Sequence, residues 1–82
     1  MKYYVYILKS EKTNRYYVGQ TNSIEKRLER HNNGLVKSTK SYLPWKLCYF
    51  EVFPSRSEAI LREREIKAKK SKKYIEFLIS KC

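Results

Sequence analysis

The 82-residue sequence predicts an α+β fold in which a small three-stranded sheet, antiparallel or mixed, is packed against helices in the order β-β-α-β-α-α. Two observations favour this class. Three short runs rich in β-branched and aromatic residues are bounded by polar turn segments, as strands are. Three other segments carry apolar residues at helical spacing. A chain of this length makes one domain, so residues 1–82 are expected to fold as a single unit.

The first two strands are predicted to form a β-hairpin. Residues 3–9 read "YYVYILK" and residues 16–20 read "YYVGQ", with the polar segment "SEKTNR" between them. Antiparallel pairing of these runs places Tyr6 opposite Gly19, with Tyr17 diagonal to Tyr6 on the same side. Two phenols therefore share one face of the hairpin, and the apolar residues between them face the other way.

The segment that follows, "TNSIEKRLERHNNG", has the signals of a helix of about ten residues. Asn22 is placed to cap it, Glu25 stands three residues later as in a capping box, and Gly34 ends it. The next stretch, "LVKSTKSYLP", is polar and basic without a clean period, and it is expected to be a surface loop ending at Pro44. The run "WKLCYFEVF" follows as the third strand.

Two further helices complete the chain. Ser55 and Glu58 have capping-box spacing at the start of the second helix. Its predicted buried stripe consists of Ala59, Ile60 and Ile66. The apolar face of the third, shorter helix consists of Ile75, Leu78 and Ile79, and this helix is expected to pack back and close the core.

Charge is the strongest compositional signal. Nineteen Lys and Arg residues against eight Asp and Glu give a formal net charge of +11, spread along the chain, which favours a polyanionic partner. Nucleic acid is favoured over a membrane because no basic amphipathic helix stands alone and no apolar run approaches transmembrane length. The start of the chain has no signal-peptide cleavage site, so a cytoplasmic location is expected.

The two cysteines do not indicate a metal site. Cys48 lies in an apolar stretch and Cys82 ends the chain, without the spacing of thiolate ligands or of a disulfide framework. Both are predicted to be free thiols. Any metal is therefore expected to use oxygen ligands.

Three side chains outside the hairpin are candidates for phosphodiester chemistry. Arg27 and His31 lie four residues apart, so they share one face of the first helix and can point at one phosphate. Glu63 lies on the inward stripe of the second helix, from which Glu58 and Glu65 are displaced. Taken singly, each has a structural interpretation: the tyrosines as packing residues, Arg27 and His31 as a solvated face, and Glu63 as a salt-bridge partner.

Taken together, these residues resemble the GIY-YIG endonuclease domain over about Tyr3 to Lys70. The resemblance rests on ordered motifs: "YVY" at 4–6, "YVG" at 17–19, "QTNSIEKRLERH" and "SEAILREREIK". The "PWKL" at 44–47 is also similar to the small stand-alone GIY-YIG proteins of bacteria. Tyr4 replaces the opening glycine of the first motif, and Val5 and Val18 replace the isoleucines of the two motifs.

The resemblance implies a three-stranded antiparallel sheet and a nuclease site on the sheet surface that depends on Mg²⁺, or on Mn²⁺ in its place. Carried over by position, the motif residues are Tyr6, Tyr17, Gly19, Arg27, His31 and Glu63, with Glu63 as the metal ligand. Gly19 is expected to leave the surface opposite Tyr6 open to a phosphate or water. The base that activates water is left open among Tyr6, Tyr17 and His31.

The function expected is that of a metal-dependent DNA endonuclease with little intrinsic sequence specificity. The lysines predicted to contact the phosphate backbone of the nucleic acid are Lys37, Lys40, Lys46, Lys67, Lys69 and Lys70. Branched or single-stranded DNA, and RNA, stay open as substrates. The alternative is a non-catalytic nucleic-acid-binding module with the same fold, and either kind of protein could be recruited by a repair or processing partner.

Overall fold

A computed structural model describes residues 2–80 of the chain. Cys82, predicted to be a free thiol, lies outside the described residues, whereas Cys48 is a free thiol as predicted. The elements follow one another as β1 (Tyr3–Ser10), β2 (Tyr16–Thr21), α1 (Ile24–Asn32), a 3-10 turn (Lys40–Tyr42), β3 (Trp45–Phe53), α2 (Arg56–Lys69) and α3 (Lys72–Ser80). The predicted element order and fold class are confirmed. None of the helices in residues 2–80 is long and apolar enough to cross a membrane.

The sheet is antiparallel throughout, with the strand order β2-β1-β3. The hairpin register is the predicted one, because Tyr6 lies opposite Gly19 and Ile7 opposite Val18. On its other side, β1 pairs with β3, so that Tyr6 lies opposite Phe50. Tyr6 is thus on the central strand, with a glycine on one side and an aromatic residue on the other.

Each face of the sheet carries its own apolar cluster. The first cluster joins the sheet to α2 and α3 and contains Val5, Ile7, Val18, Ala59, Ile66 and Leu78. The second joins the opposite face to α1 and the segment before β3, and its buried members are Tyr6, Leu8 and Trp45. The domain is therefore a helix–sheet–helix arrangement, and the two motif phenols face α1 rather than α2.

The ends of the helices show one wrong prediction and two confirmed ones. The N-cap of α1 is Ser23 rather than Asn22, because the Thr21 hydroxyl accepts a hydrogen bond from the Ser23 amide at 3.2 Å and turns the chain one residue later. Gly34 follows the helix with a φ of +72°, as expected of a C-terminal stop. The Ser55 hydroxyl caps α2 by accepting a hydrogen bond from the Glu58 amide at 3.3 Å.

The loop between α1 and β3 is more deeply built into the fold than its composition predicts. Thr39 is 1% exposed, and its carbonyl accepts a hydrogen bond from the Trp45 indole at 2.9 Å. The Asn32 side chain bonds the Trp45 backbone from both ends, at 2.6 and 3.1 Å. The prediction of a plain surface loop is therefore wrong, because these contacts attach the loop to the end of the sheet.

Replacing Ile66 with Ala tests the core between α2 and the sheet. Ile66 is buried, so we expect the free energy of unfolding to fall by about 2–4 kcal/mol through lost burial and a residual cavity. Leu61, on the same helix, is 65% exposed, and Leu61→Ala should change stability by no more than about 0.5 kcal/mol. Urea denaturation measures both variants. Equal losses would contradict the packing of this helix.

Candidate active site

The hydroxyl of Tyr6 lies directly over Gly19. A Cβ atom at Gly19 would stand 2.5 Å from the Tyr6 hydroxyl oxygen, closer than real Cβ atoms approach other atoms, and 3.1 Å from the Tyr17 ring, which is a tight contact. Glycine is needed here because the phenol occupies the space a side chain would take. The expectation that this space is open to a phosphate or water is therefore wrong, since the Tyr6 hydroxyl fills it.

A buried hydrogen-bonded chain begins at the same hydroxyl. The Tyr6 hydroxyl and His31 Nε2 are 3.2 Å apart, and His31 Nδ1 lies 2.8 Å from Thr39 Oγ1. The Thr39 hydroxyl donates to the Val36 carbonyl at 3.3 Å, which leaves its oxygen as the acceptor for His31 Nδ1–H. His31 therefore carries its proton on Nδ1, and its Nε2 accepts the proton of the Tyr6 hydroxyl.

Burial sets the protonation of this chain. Tyr6 is 1% exposed, and desolvation raises the pKa of its phenol to about 12, against the lowering effect of the hydrogen bond from Arg27. His31 is 0% exposed, and desolvation, followed by the charges of Arg27 and Arg30, lowers its pKa to about 4. At neutral pH the chain consists of a neutral phenol and a neutral imidazole. Neither group meets bulk water.

Arg27 brings the positive charge to the two phenols. Its hydrogen bond to Tyr6 is the largest cause raising the pKa of the guanidinium, and a weaker contribution comes from Tyr17. Its Nε is buried, and no hydrogen-bond acceptor lies within reach of it in the part of the chain that the structure describes. An unpaired buried donor is costly, so the enclosed part of this guanidinium is held at an energetic expense, while the rest of the partly exposed side chain is open to an anionic oxygen.

Tyr17 is the motif phenol that remains partly exposed. Its ring centroid lies 4.8 Å from that of His31 in an edge-to-face contact and 6.3 Å from that of Tyr6. The ammonium of Lys67 lies 5.8 Å from the centre of the Tyr17 ring. Tyr17 therefore joins the buried chain on one side to a cation from α2 on the other.

Glu63 approaches the phenols from the other layer of the domain. Its side chain is 19% exposed, and its Oε2 accepts a hydrogen bond from Lys67 Nζ at 2.7 Å. Its charge contributes to raising the pKa of Tyr6, behind the larger effect of burial, so the carboxylate lies within electrostatic range. Because α2 packs on the opposite face from Tyr6 and Tyr17, Glu63 and the phenols belong to different layers of the fold. The resemblance implied one sheet surface instead.

The oxygen donors suit a metal held mainly by solvent and substrate. Among residues 2–80 there is no group of three or more His, Cys, Asp or Glu side chains able to cage a cation. Among the described residues, Glu63 is the carboxylate whose charge acts on Tyr6. Magnesium commonly takes one or two protein carboxylates, several waters and a substrate phosphate, so a single glutamate is compatible with such an ion.

The remaining candidates are distributed around this site. The six predicted contact lysines are all exposed: Lys37, Lys40, Lys46, Lys67, Lys69 and Lys70. Thr39, which holds the His31 tautomer, was not a sequence candidate. Nothing in the polar stretch around it distinguishes that threonine from its neighbours Ser38 and Ser41.

Comparison with known proteins confirms the family resemblance. Residues 2–75 match the family model described as the GIY-YIG catalytic domain. A UPF0213 protein of Clostridium perfringens is 44% identical over 79 residues, covering 95% of this chain and 84% of the relative. One from Staphylococcus haemolyticus is 49% identical over 67 residues, covering 80% of each. The solution structure of a UPF0213 protein from Bacillus halodurans superposes with a TM-score of 0.61 at 34% identity, covering 98% of this chain and 84% of that one.

Replacing Gly19 with Ala tests the contact beneath Tyr6. The new methyl group would overlap the phenol, which is buried and cannot swing away, so we expect stability to fall by about 1–3 kcal/mol in urea denaturation. Tyr6→Phe removes the atom nearest to the methyl. In a double-mutant cycle, the combined change should therefore be less destabilising than the sum of the single changes. Strict additivity would show that Tyr6 does not lie over Gly19.

The depressed pKa of His31 predicts a pH dependence of stability. The unfolded state binds a proton near the ordinary pKa of 6.5 and the folded state only near 4, so stability should decrease as the pH falls through this window. The shift corresponds to on the order of 3 kcal/mol. Urea denaturation of the wild type and of His31→Gln from pH 7 to pH 4 isolates the effect, because glutamine does not titrate. Identical slopes in the two proteins would refute the buried neutral imidazole.

Proposed function

The chain belongs to the GIY-YIG catalytic domain family, and from that membership we propose that it is a divalent-metal-dependent endonuclease hydrolysing DNA phosphodiester bonds with little sequence specificity. The family places the chain on a nuclease-type fold. The observation that carries the proposal is the position of Arg27, a partly exposed cation whose guanidinium interacts with both motif phenols. A scissile phosphate would bring anionic oxygens to the exposed part of this guanidinium.

Arg27 is proposed to bind the scissile phosphate and to stabilise the charge that builds on it. A guanidinium presents several donors in a fixed plane, which suits two phosphate oxygens. Its position is fixed in advance by the phenols, and a donor already in place needs no reorganisation when charge develops. The energetic benefit of Arg27 is therefore expected in the transition state more than in the bound ground state.

The two phenols are proposed to have different roles. Tyr6 is buried, its pKa is raised to about 12, and its hydroxyl donates a hydrogen bond to His31. It therefore serves as a positioning residue for Arg27 and Tyr17. Tyr17 is the phenol that water can reach, and we assign it the alignment of the attacking water by hydrogen bonding. His31 has both ring nitrogens occupied and acts through Tyr6 rather than on the substrate.

Glu63 would hold the divalent ion. The bound ion would neutralise phosphate charge and acidify a coordinated water, the two effects that phosphodiester hydrolysis most needs. Glu63 suits this position because most of its side chain is shielded from solvent, although its partner in the structure is an exposed lysine. A carboxylate is an oxygen ligand that suits both Mg²⁺ and Mn²⁺, so it does not distinguish these ions.

DNA is proposed as the substrate on electrostatic grounds. A net charge of +11 on 82 residues gives salt-dependent attraction to a phosphate backbone. The six exposed lysines named above can contact phosphates, and phosphate contacts position the protein without reading bases. Selection among DNA structures would then come from the shape of the site or from a partner protein engaged in repair or processing.

One observation favours the non-catalytic alternative. Glu63 is paired with Lys67 at 2.7 Å, as a structural carboxylate would be. In that case the domain would bind nucleic acid through its charge, and Glu63 would only stabilise α2. Membership of a catalytic family and the position of Arg27 beside the two motif phenols support hydrolysis instead.

Plasmid nicking with Mg²⁺, with EDTA and with Glu63→Gln separates the two functions. We expect nicking by the wild type only with the metal. Glu63→Gln should lower the nicking rate by about 100-fold or more while DNA binding is retained. The matched control is Glu29→Gln, which removes an exposed carboxylate on α1 and should nick at the wild-type rate. Salt-sensitive binding without nicking under any condition would establish the binding module.

A further inference from the structure

A cleft of about 730 Å³ opens beside the candidate active site. It lies between the start of β2, the segment around the 3-10 turn, and the junction of α2 with α3. Tyr17 and Thr39 line it, so it is continuous with the proposed catalytic residues. Its volume falls within the range of about 300–1,000 Å³ typical of pockets that hold small ligands. A group bound in this cleft would therefore touch Tyr17.

The charge of the cleft is entirely positive. Its cations are Arg15, Lys67, Lys70 and Lys72, and none of the lining side chains within residues 2–80 is acidic. Three of these cations are held against aromatic rings: Arg15 Cζ lies 4.6 Å from the centre of the Tyr42 ring, and the ammonium groups of Lys67 and Lys72 each lie 5.8 Å from the centres of the Tyr17 and Tyr16 rings, respectively. Four cations around a small cavity attract an occupant that carries more than one negative charge.

The backbone at Lys70 points to a function for this cleft. Among the described residues, Lys70 is the one non-glycine residue with a positive φ, at 47°. It occupies the position after α2 where glycine is strongly preferred, because a side chain is strained there. A glycine at this position would relieve the backbone strain. The lysine retains the strain and places an ammonium at the cleft.

Aromatic rings form the second chemical feature of the cleft. Tyr16, Tyr17 and Tyr42 are partly exposed along its wall, and Trp45 is buried behind them. Trp45 contacts Tyr17 and Tyr42 edge-to-face, with ring centroids 6.3 and 6.4 Å apart. Trp45 therefore braces Tyr17 and Tyr42 from behind, and the partly exposed tyrosine rings alternate with cations along the wall. Rings and cations interleaved in this way are typical of sites for unpaired nucleotides, where bases stack on rings and phosphates meet lysines.

Only an unpaired base can use such a cleft. Bases inside a duplex are stacked on their neighbours, and a protein reaches their faces only when a strand is single or a base is turned out. The phosphates of a duplex would meet the exposed lysines without filling the cavity. The cleft thus distinguishes nucleic acids by their strandedness.

We propose that this cleft binds one or two unpaired nucleotides, and that the substrate class is DNA with a single-stranded segment adjoining the bond to be cut. The assignment of a substrate rests on the proposed nuclease function, whereas the binding itself does not. Lys67 and Lys70 contact the phosphates from α2, Lys72 does so from α3, and a base stacks on the tyrosine wall.

Fluorescence anisotropy with a labelled oligothymidylate of about twelve nucleotides, in EDTA, measures the binding without any cleavage. The comparison ligands are a blunt duplex and an abasic oligomer with the same phosphates. We expect the wild type to bind the oligothymidylate about tenfold more tightly than the abasic oligomer, because stacking adds to charge. It should also bind the oligothymidylate more tightly than it binds the duplex. Equal affinity for the oligothymidylate and the abasic oligomer, or preference for the duplex, would overturn the proposal.

Lys70→Gly separates binding from folding. Glycine adopts the backbone conformation of this position without strain, so the midpoint of thermal unfolding should be unchanged or higher. Affinity for the oligothymidylate should fall about fivefold or more, and the slope of log affinity against log salt should decrease in magnitude by about 0.7. The matched control, Lys73→Ala, removes an exposed charge on α3 outside the cleft and should change affinity less than about twofold. Equal effects of the two changes would refute a built site.

Failure of this proposal is distinguishable from failure of the nuclease function. Single-strand preference that depends on Lys70 in EDTA supports the cleft even if no substrate is cut with Mg²⁺. Cutting of blunt duplex at the rate of a flapped duplex, with oligothymidylate binding unaffected by Lys70→Gly, overturns the cleft and leaves the nuclease intact. Preferential cutting beside a single-stranded flap, weakened in Lys70→Gly, supports both.

Discussion

The site depends on one steric constraint, the placement of the Tyr6 phenol over Gly19. Tyr6 projects from the central strand, and a glycine on the neighbouring strand lets its ring lie flat across the sheet toward the outer edge of β2. There the hydroxyl reaches His31, and the ring supports Tyr17. Any side chain at position 19 would push the phenol out of this position. Gly19 is therefore required for packing, because the absence of a side chain makes room for the Tyr6 phenol.

Burial divides the motif residues into two groups with different chemistry. Tyr6 and His31 are enclosed between α1 and the sheet, where desolvation keeps both neutral. Arg27 and Tyr17 lie where this enclosed chain reaches the surface, so their positions are fixed by groups that do not themselves titrate near neutral pH. A charged histidine at the same place would repel Arg27. Because His31 is neutral, the guanidinium of Arg27 can lie close to the two phenols without repulsion from a second positive charge.

Local patterns in the sequence were sufficient for the fold and for part of the site. Alternation predicted the faces of the hairpin, because pairing Tyr6 with Gly19 puts Val5, Ile7 and Val18 on one face, and the structure has this register. Capping chemistry predicted the start of α2 at Ser55, yet misplaced the cap of α1, where a threonine hydroxyl in the preceding strand decides the turn. Thr39 could not have been identified, since its role depends on a loop folding back over eight residues to His31. The face of the sheet on which Glu63 lies could not have been identified either, because it follows from three-dimensional packing and not from the helical spacing of the residue.

The pair between Glu63 and Lys67 does not decide between a catalytic and a structural glutamate, once its strength is considered. Lys67 is about half exposed, and an ion pair spaced four residues apart on a helix contributes only about 0.5 kcal/mol. A divalent cation coordinated by the same carboxylate and by a phosphate interacts far more strongly, since it carries twice the charge at a shorter distance. A phosphate bound in the cleft would be a second anionic partner for Lys67, because the ammonium of this lysine lies at the cleft beside the Tyr17 ring. Substrate phosphate in the cleft and a cation on Glu63 would each favour separation of the pair, so the two binding events are expected to assist one another through this lysine.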